Sequence, residues 1–295
     1  MLILKYLNWE KCSFLEYHDI AFKYGFNAES SPYLIDFAIK NGANLEFFLF
    51  KHKGHISGGC CVDNGWLCND IKNPKSQTSA IPMPHYSIML PFQHGISCLV
   101  PFKSKHVSRK NLFLNSSFDF FSKRNIAISK LSSEFSNKTI STRNRESRKF
   151  IEEGGSFHKS LDFQSDELYS IYCELFSKRR PGKSADSKIG MDFFRAFSSS
   201  FIGDVAMVND VPVAFQLNLV TRSNYGMFVD FINIAYDPAV KKHSLGTIMM
   251  WHNLKIIERH ALECNSELTY SYGMMSGDYK HRWCNAERVG RLISF

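Results

Sequence analysis

Twice along this chain, hydrophobic spacing spells the same order of elements: helix, helix, then two strand-like runs joined by a tight turn. In the first half, Trp9, Phe14, Tyr17, Ile20, Ala21 and Tyr24 recur at helical spacing across 8–24. A second helix is punctuated by Ser31 as N-cap, Pro32 at its first position and Gly42 beyond its end. EFFLF, the turn-like KHKG and HISGGCCV then read as a β-hairpin. The order returns about 157 residues later. Ser165 can cap a helix from Asp166 to about Arg179, whose acidic start and basic end suit the helix dipole, and another helix spans about Ser187 to Ser199. VAMV, an Asn209-Asp210 turn and VPVAFQLNLV complete a second hairpin.

The second half runs further than the first can be followed. A strand over 225–236, a loop DPAVKKHSLG, a helix over 246–263 and a strand over 267–274 extend the series. Helix, helix, three strands, helix, strand points to a layered α/β sheet with crossover helices. The basic segment and the Ser/Asn-rich stretch over 129–144 mark the boundary, giving domains over 1–140 and 141–295, the first either a degenerate duplicate of the second or a different α/β cap. A chain of 295 residues with 44% apolar and 22% charged residues can build two such cores.

The net charge of +8 is concentrated: Lys103 to Lys149 holds twelve Lys and Arg against Asp119, Glu134 and Glu146. Such a segment suits an anionic carrier, a phosphate-bearing substrate or an anionic membrane surface, though a solvated basic face reads equally well. No helix-turn-helix or zinc spacing accompanies it, so sequence-specific nucleic-acid binding is not expected. No apolar run approaches the roughly 20 residues of a membrane span, and no secretory signal opens the chain, so a cytoplasmic protein is expected. The eight cysteines form no CxxC pair, and buried thiols rather than metal ligands are expected.

Three constellations can carry chemistry, with a fourth supplying a pocket. KKHSLGT over 241–247 joins a strand to a helix; a helix start offers unpaired N–H groups to an anion where side chains stay clear. Lys241, Ser244, Leu245, Gly246 and Thr247 are the candidate carrier-binding residues, and an ordinary capped helix is the bland alternative. In SYGMMSGDYKHRW over 271–283, Tyr279 can hand a proton to a leaving group, Lys280 can hold a phosphate or polarise a carbonyl, and Arg282 is a further substrate-binding candidate; alternatively Tyr279 and Trp283 pack a terminal helix while Lys280 and Arg282 reach solvent. Asp230, central in GMFVDFIN, shares a strand face with Phe228 and Ile232 and is a candidate general base, or an ion-pair partner of Arg222. Tyr86, between His85 and His94 in PMPHYSIMLPFQHG, is a candidate pocket residue.

These residues carry a resemblance. Lys241 to Gly246 is similar to the Q/R-x-x-G-x-G/A turn of GNAT acyltransferases, with Ser244 where the first glycine belongs. GDYKHRW resembles the end of the Fem-type and cellulose-synthesis-type branches, and TRNRESRKFIEEGG over 142–155, with Arg143 as a substrate-binding candidate, resembles their helix. With DPAVKKHSLGTIMMWHNL, the chain resembles the Mig-fourteen family, macrophage-inducible proteins of enteric bacteria associated with resistance to cationic antimicrobial peptides. The resemblance implies tandem GNAT-like domains, each a mixed sheet flanked by helices, and peripheral attachment to the inner face of the cytoplasmic membrane. It also implies an acyl or aminoacyl transferase drawing on acyl-coenzyme A or aminoacyl-tRNA, with no metal. A non-enzymatic membrane-surface protein of the same fold and a nucleic-acid-binding regulator are the competing expectations.

Overall fold

The structure is a computed structural model that describes residues 2–118 and 124–293. Asp119 and Lys123, counted in the basic segment, lie outside the described residues. The elements in chain order are α1 (Leu2–Tyr6), β1 (Trp9–Cys12), α2 (Phe14–Tyr24), α3 (Pro32–Lys40), β2 (Glu46–His52), β3 (His55–Asp63), β4 (Trp66–Leu67), β5 (Ser104–Val107), β6 (Ser116–Ser117) and β7 (Asn125–Ser129). They continue as α4 (Asn137–Glu152), β8 (Gly155–Lys159), α5 (Ser165–Arg179), α6 (Lys188–Phe197), β9 (Asp204–Val208), β10 (Val211–Ser223), β11 (Gly226–Tyr236), α7 (Leu245–Glu263), β12 (Leu268–Met274), α8 (Asp278–Trp283), β13 (Cys284–Arg288) and β14 (Gly290–Leu292).

The helix expected over 8–24 is shorter than its spacing implies. Asn8 takes a positive φ of 61°, Trp9–Cys12 pairs antiparallel with β2, and the helix starts only after Ser13, whose capping box with Glu16 nucleates it. Trp9 keeps its inward position by donating Nε1 to Leu99 O at 2.8 Å. Pro32 opens α3, and Asn209 and Asp210, both at positive φ, turn β9 into β10, but Ser31 makes no side-chain capping bond and the N-cap of α5 is Gln164, with the expected cap Ser165 already inside the helix.

The strands form three sheets, in the orders β1-β2-β3-β4, β13-β7-β12-β11-β10-β9-β8 and β5-β14-β6. Two compact units result, one of Met1–Ile128, Thr221–Phe228 and Ser271–Phe295, the other of Ser129–Val220 and Val229–Tyr270. In the first unit, Trp9, Phe48, Phe50, Phe92 and Phe102 pack an aromatic core. A Cβ at Gly58 would lie 2.6 Å from the Phe92 ring, so the glycine of β3 is what lets that ring reach the sheet.

In the second unit, Phe150, Ala206, Val213, Ile234, Leu245 and Met249 close the core between sheet and helices. A buried polar chain fixes register there. Gln216 Nε2 donates to Tyr270 Oη at 2.6 Å, Tyr270 donates to Asn218 Oδ1 at 3.0 Å, and Asn253 of α7 donates to Gln216 Oε1 at 3.2 Å. Asn253 Oδ1 also accepts from Asp204 N at 3.1 Å, so α7 is tied to β9 as well as β10.

Candidate functional site

The second unit holds Lys241, Ser244, Leu245, Gly246, Thr247, Arg143 and Asp230; the first holds Tyr86, Tyr279, Lys280 and Arg282. Each group is described within its own unit.

The segment before α7 is built as the spacing implies, with one anchor that spacing could not reveal. Leu245 is buried and Ile248 and Met249 follow it into the core, which points the start of the helix outward at Ser244. The Ser244 side chain makes no capping bond, so it leaves the first-turn amides of Leu245, Gly246 and Thr247 unclosed. A Cβ built on Gly246 would meet a Tyr236 ring carbon at 3.8 Å, an ordinary contact distance. Two of the three basic groups in the loop are tied down. Lys242 Nζ and His243 Nε2 stand 3.1 and 3.3 Å from Glu153 Oε2, at the end of α4, and the His243 ring packs edge-on to Phe150. Lys241 is exposed beside this anchored turn. Arg143 lies 2.6 Å from Glu146 on α4, a pairing within the helix that occupies part of its charge.

Asp230 is buried in β11. The same strand is bound to α5: Asn233 Nδ2 donates to Tyr172 Oη at 3.0 Å, and the Arg179 guanidinium donates to Ile234 O. Lys178 continues the clasp with Asp237 at 3.2 Å and Glu174 at 2.8 Å. Beside α5 is a polar cavity of about 350 Å³ lined by Tyr169, Cys173, Glu174, Ser184 and Asp186 among others. None of the residues singled out in the sequence lines it.

In the first unit, Tyr86 and Lys280 meet at one place, the end of β12. Gly273 has a φ of +69°, and a Cβ there would come within 3.1 Å of the Tyr86 ring. Lys280 is buried, and its Nζ donates to Tyr272 O and Met274 O, each at 2.6 Å. Burial pushes the Lys280 ammonium below the ordinary lysine range, and the nearby Cys284 opposes that shift. Two of its three donors therefore hold a strand end, a positioning role rather than a free phosphate clamp. Tyr279 and Arg282 are exposed on the same short helix.

Two buried clusters of the first unit were not visible in the sequence. Asp70 accepts from Ser104 Oγ at 2.8 Å and Lys105 N at 2.6 Å, and lies 3.0 Å from His106 Nδ1. Glu29 Oε1 accepts from Tyr86 N and Ser87 N, and Oε2 from Asn27 Nδ2. Burial raises Glu29 to about 7 although the backbone N–H groups of Ser87 and Tyr86 oppose it. Neither cluster has a local spacing signature, because its partners are brought together only by tertiary folding.

The family model for Mig-14 matches residues 31–292. Among solved structures, the L-PGS of Bacillus licheniformis aligns with a TM-score of 0.54 at 12% identity, covering 97% of this chain and 93% of that one. FemX aligns with a TM-score of 0.53 at 8% identity, covering 92% of this chain and 89% of that one. A tandem GNAT protein from the clavulanic acid biosynthesis pathway gives a TM-score of 0.42 at 9% identity over 97% of both chains, too distant to argue from. No curated protein matches. At these identities the likeness to L-PGS and FemX is one of fold alone, an α/β architecture of sheets flanked by helices.

Proposed function

The chain belongs to the Mig-14 family, and on that premise we propose that it is a GNAT-like transferase moving an acyl or aminoacyl group from an anionic carrier to an envelope component or peptide. The observation that carries this reading is the start of α7. An outward helix N-terminus without a side-chain cap and an adjacent exposed Lys241 suit the phosphates of acyl-coenzyme A or the backbone of aminoacyl-tRNA. Ser244 at the first glycine position of the turn leaves the choice of carrier to experiment.

In this reading the carrier's phosphates lie on the amides of Leu245, Gly246 and Thr247, and Lys241 adds charge from the rim. Asp230, buried in the adjoining β11, takes the proton of an amine or hydroxyl nucleophile as it attacks the carrier's carbonyl. Arg143 of the same unit adds charge for the acceptor; in the first unit, Tyr279 and Arg282 are a proton donor and an anion contact on α8, and Lys280 holds the end of β12 beside Tyr86. Residues 1–140 then serve as a degenerate transferase-like domain. The protein works at the inner face of the cytoplasmic membrane, where its product contributes to resistance to cationic antimicrobial peptides.

A second reading keeps the fold without the chemistry and uses the basic segment within 103–149 against an anionic membrane, at about 1 kcal/mol per basic residue. It is favoured by the engagement of Lys280 and Arg143 inside the protein. Incubation of the full chain with acetyl-coenzyme A or aminoacyl-tRNA, and with anionic lipid or a lysine-containing peptide as acceptor, separates the two by mass spectrometry of the acceptor. Transfer that is lost in Asp230→Asn supports the transferase; no transfer with either carrier, alongside tight vesicle binding, favours the surface protein.

A further inference from the structure

Between β5 and β6 the chain runs through Asn-Leu-Phe-Leu-Asn, and its side chains alternate with unusual strictness. Asn111, Phe113 and Asn115 are buried, while Leu112 and Leu114 are 68% and 69% exposed. The inward three are clamped. Asn111 accepts from Leu90 N at 2.7 Å and donates to Leu90 O at 3.1 Å. Asn115 does the same with Val100 at 2.9 and 2.8 Å, and donates to Ile293 O as well. Phe113 packs edge-on to Phe92, and Leu114 N donates to Cys98 O at 2.9 Å. The leucines are thus held outward by their neighbours, and no rotation of this segment could bury them without breaking both asparagine clamps.

Ile293, 53% exposed, is joined to the same segment by its N–H to Asn115 O. The sequence that builds this sheet is cationic. Residues 97–118 carry Lys103, Lys105, Arg109 and Lys110 with no acid, and 281–293 add Arg282, Arg288 and Arg291 against Glu287 alone.

We propose that Leu112 and Leu114 form a docking wedge that enters the interfacial layer of an anionic phospholipid bilayer while Lys103 and Arg109, exposed in the same stretch of chain, meet the headgroup phosphates. The inference rests on the surface-binding reading and gives it a site. Branched aliphatic side chains among cations match lipid, which offers phosphate above and acyl chain beneath; a single-stranded nucleic acid asks instead for aromatic faces on which bases stack. Preorganisation of the wedge means that docking does not have to order a loop.

The test uses the full chain and vesicles of phosphatidylcholine with or without about a third of phosphatidylglycerol, and follows binding by co-sedimentation. Wild type should bind the anionic vesicles and far less the neutral ones. Leu112→Ser/Leu114→Ser should lose at least about ten-fold in partitioning with an unchanged melting temperature, since both side chains are exposed. Leu262→Ser, which removes an equally exposed leucine from α7, should bind as wild type does. Leu112→Trp should blue-shift in emission on adding anionic vesicles. Equal binding by wild type and the double serine variant overturns the wedge while leaving surface binding standing. Absence of binding by wild type overturns both, as does a leucine-dependent affinity for a single-stranded oligonucleotide without one for vesicles.

Discussion

His243 Nε2 stands 3.3 Å from Glu153 Oε2, and through this contact the loop that precedes α7 is fastened to the end of α4. Glu153 follows the last turn of its helix, where the dipole disfavours a carboxylate, so Lys242 and His243 are what make an acid tolerable there. The turn is consequently held at its base, beside the first-turn amides proposed to meet the carrier.

Glu153→Gln should therefore loosen the turn more than it weakens the protein. The contact is partly exposed, so the loss of stability should stay below about 1 kcal/mol. Hydrogen exchange at 241–247 should accelerate, and any thermal stabilisation by a carrier should shrink. An unchanged exchange rate there would show that the anchor is incidental.

Lys280→Met should be costly in spite of its matching length. It strips the donors from two carbonyls at the end of β12, so unfolding in urea should show a loss of about 2–3 kcal/mol. Tyr279→Phe, on the same helix but 46% exposed, should change stability by less than about 0.5 kcal/mol. Were the lysine variant as stable as wild type, the ammonium would have to be free for chemistry.

Asp70→Asn should destabilise the protein by about 3 kcal/mol at neutral pH. Burial alone would raise this carboxyl, but the hydrogen bond and charge of His106, with the amides of Lys105 and Lys72, hold it below the ordinary value. A lowered pKa contributes stability that is fully present above the unfolded value and is lost as pH falls through the folded one. The difference between wild type and variant should accordingly shrink below about pH 4, as followed by thermal melts across pH.

Glu29 acts with the opposite sign. Its folded value of about 7 lies above the ordinary 4.5, so the folded state binds the extra proton between those limits and loses stability as pH rises through them. Wild type should show this decline between about pH 5 and pH 7, and Glu29→Gln should flatten it. A slope that is the same in both would remove Glu29 as its source.

Much of this architecture is legible in local spacing, because local chemistry decides it. Ser187 caps α6, Asn209 and Asp210 accept the positive φ of the β9–β10 turn, and Leu245 to Ala261 keep one face of α7 apolar. Residues 8–12 misled because Trp9 fits either a helical stripe or a strand, and only the break at Asn8 with the capping box at Ser13 decides between them. The start of α7 at 244–245 was legible because local chemistry sets it. The site was not legible where a distant partner redefines a side chain: Lys280 reads as a free cation until Tyr272 and Met274 claim it, and Glu153 carries no mark of the loop it holds.

The most direct test of the account is a binding titration of acetyl-coenzyme A and of aminoacyl-tRNA against wild type and Gly246→Val. A Cβ at Gly246 meets only the Tyr236 ring, at ordinary contact distance, so melting should shift little, while the added bulk beside the first-turn amides should hinder the proposed carrier. At least one carrier should bind wild type, with affinity falling about ten-fold or more in the variant, roughly 1.4 kcal/mol or greater. Binding that is the same in both proteins, or no binding by either carrier, would contradict a carrier site at the start of α7.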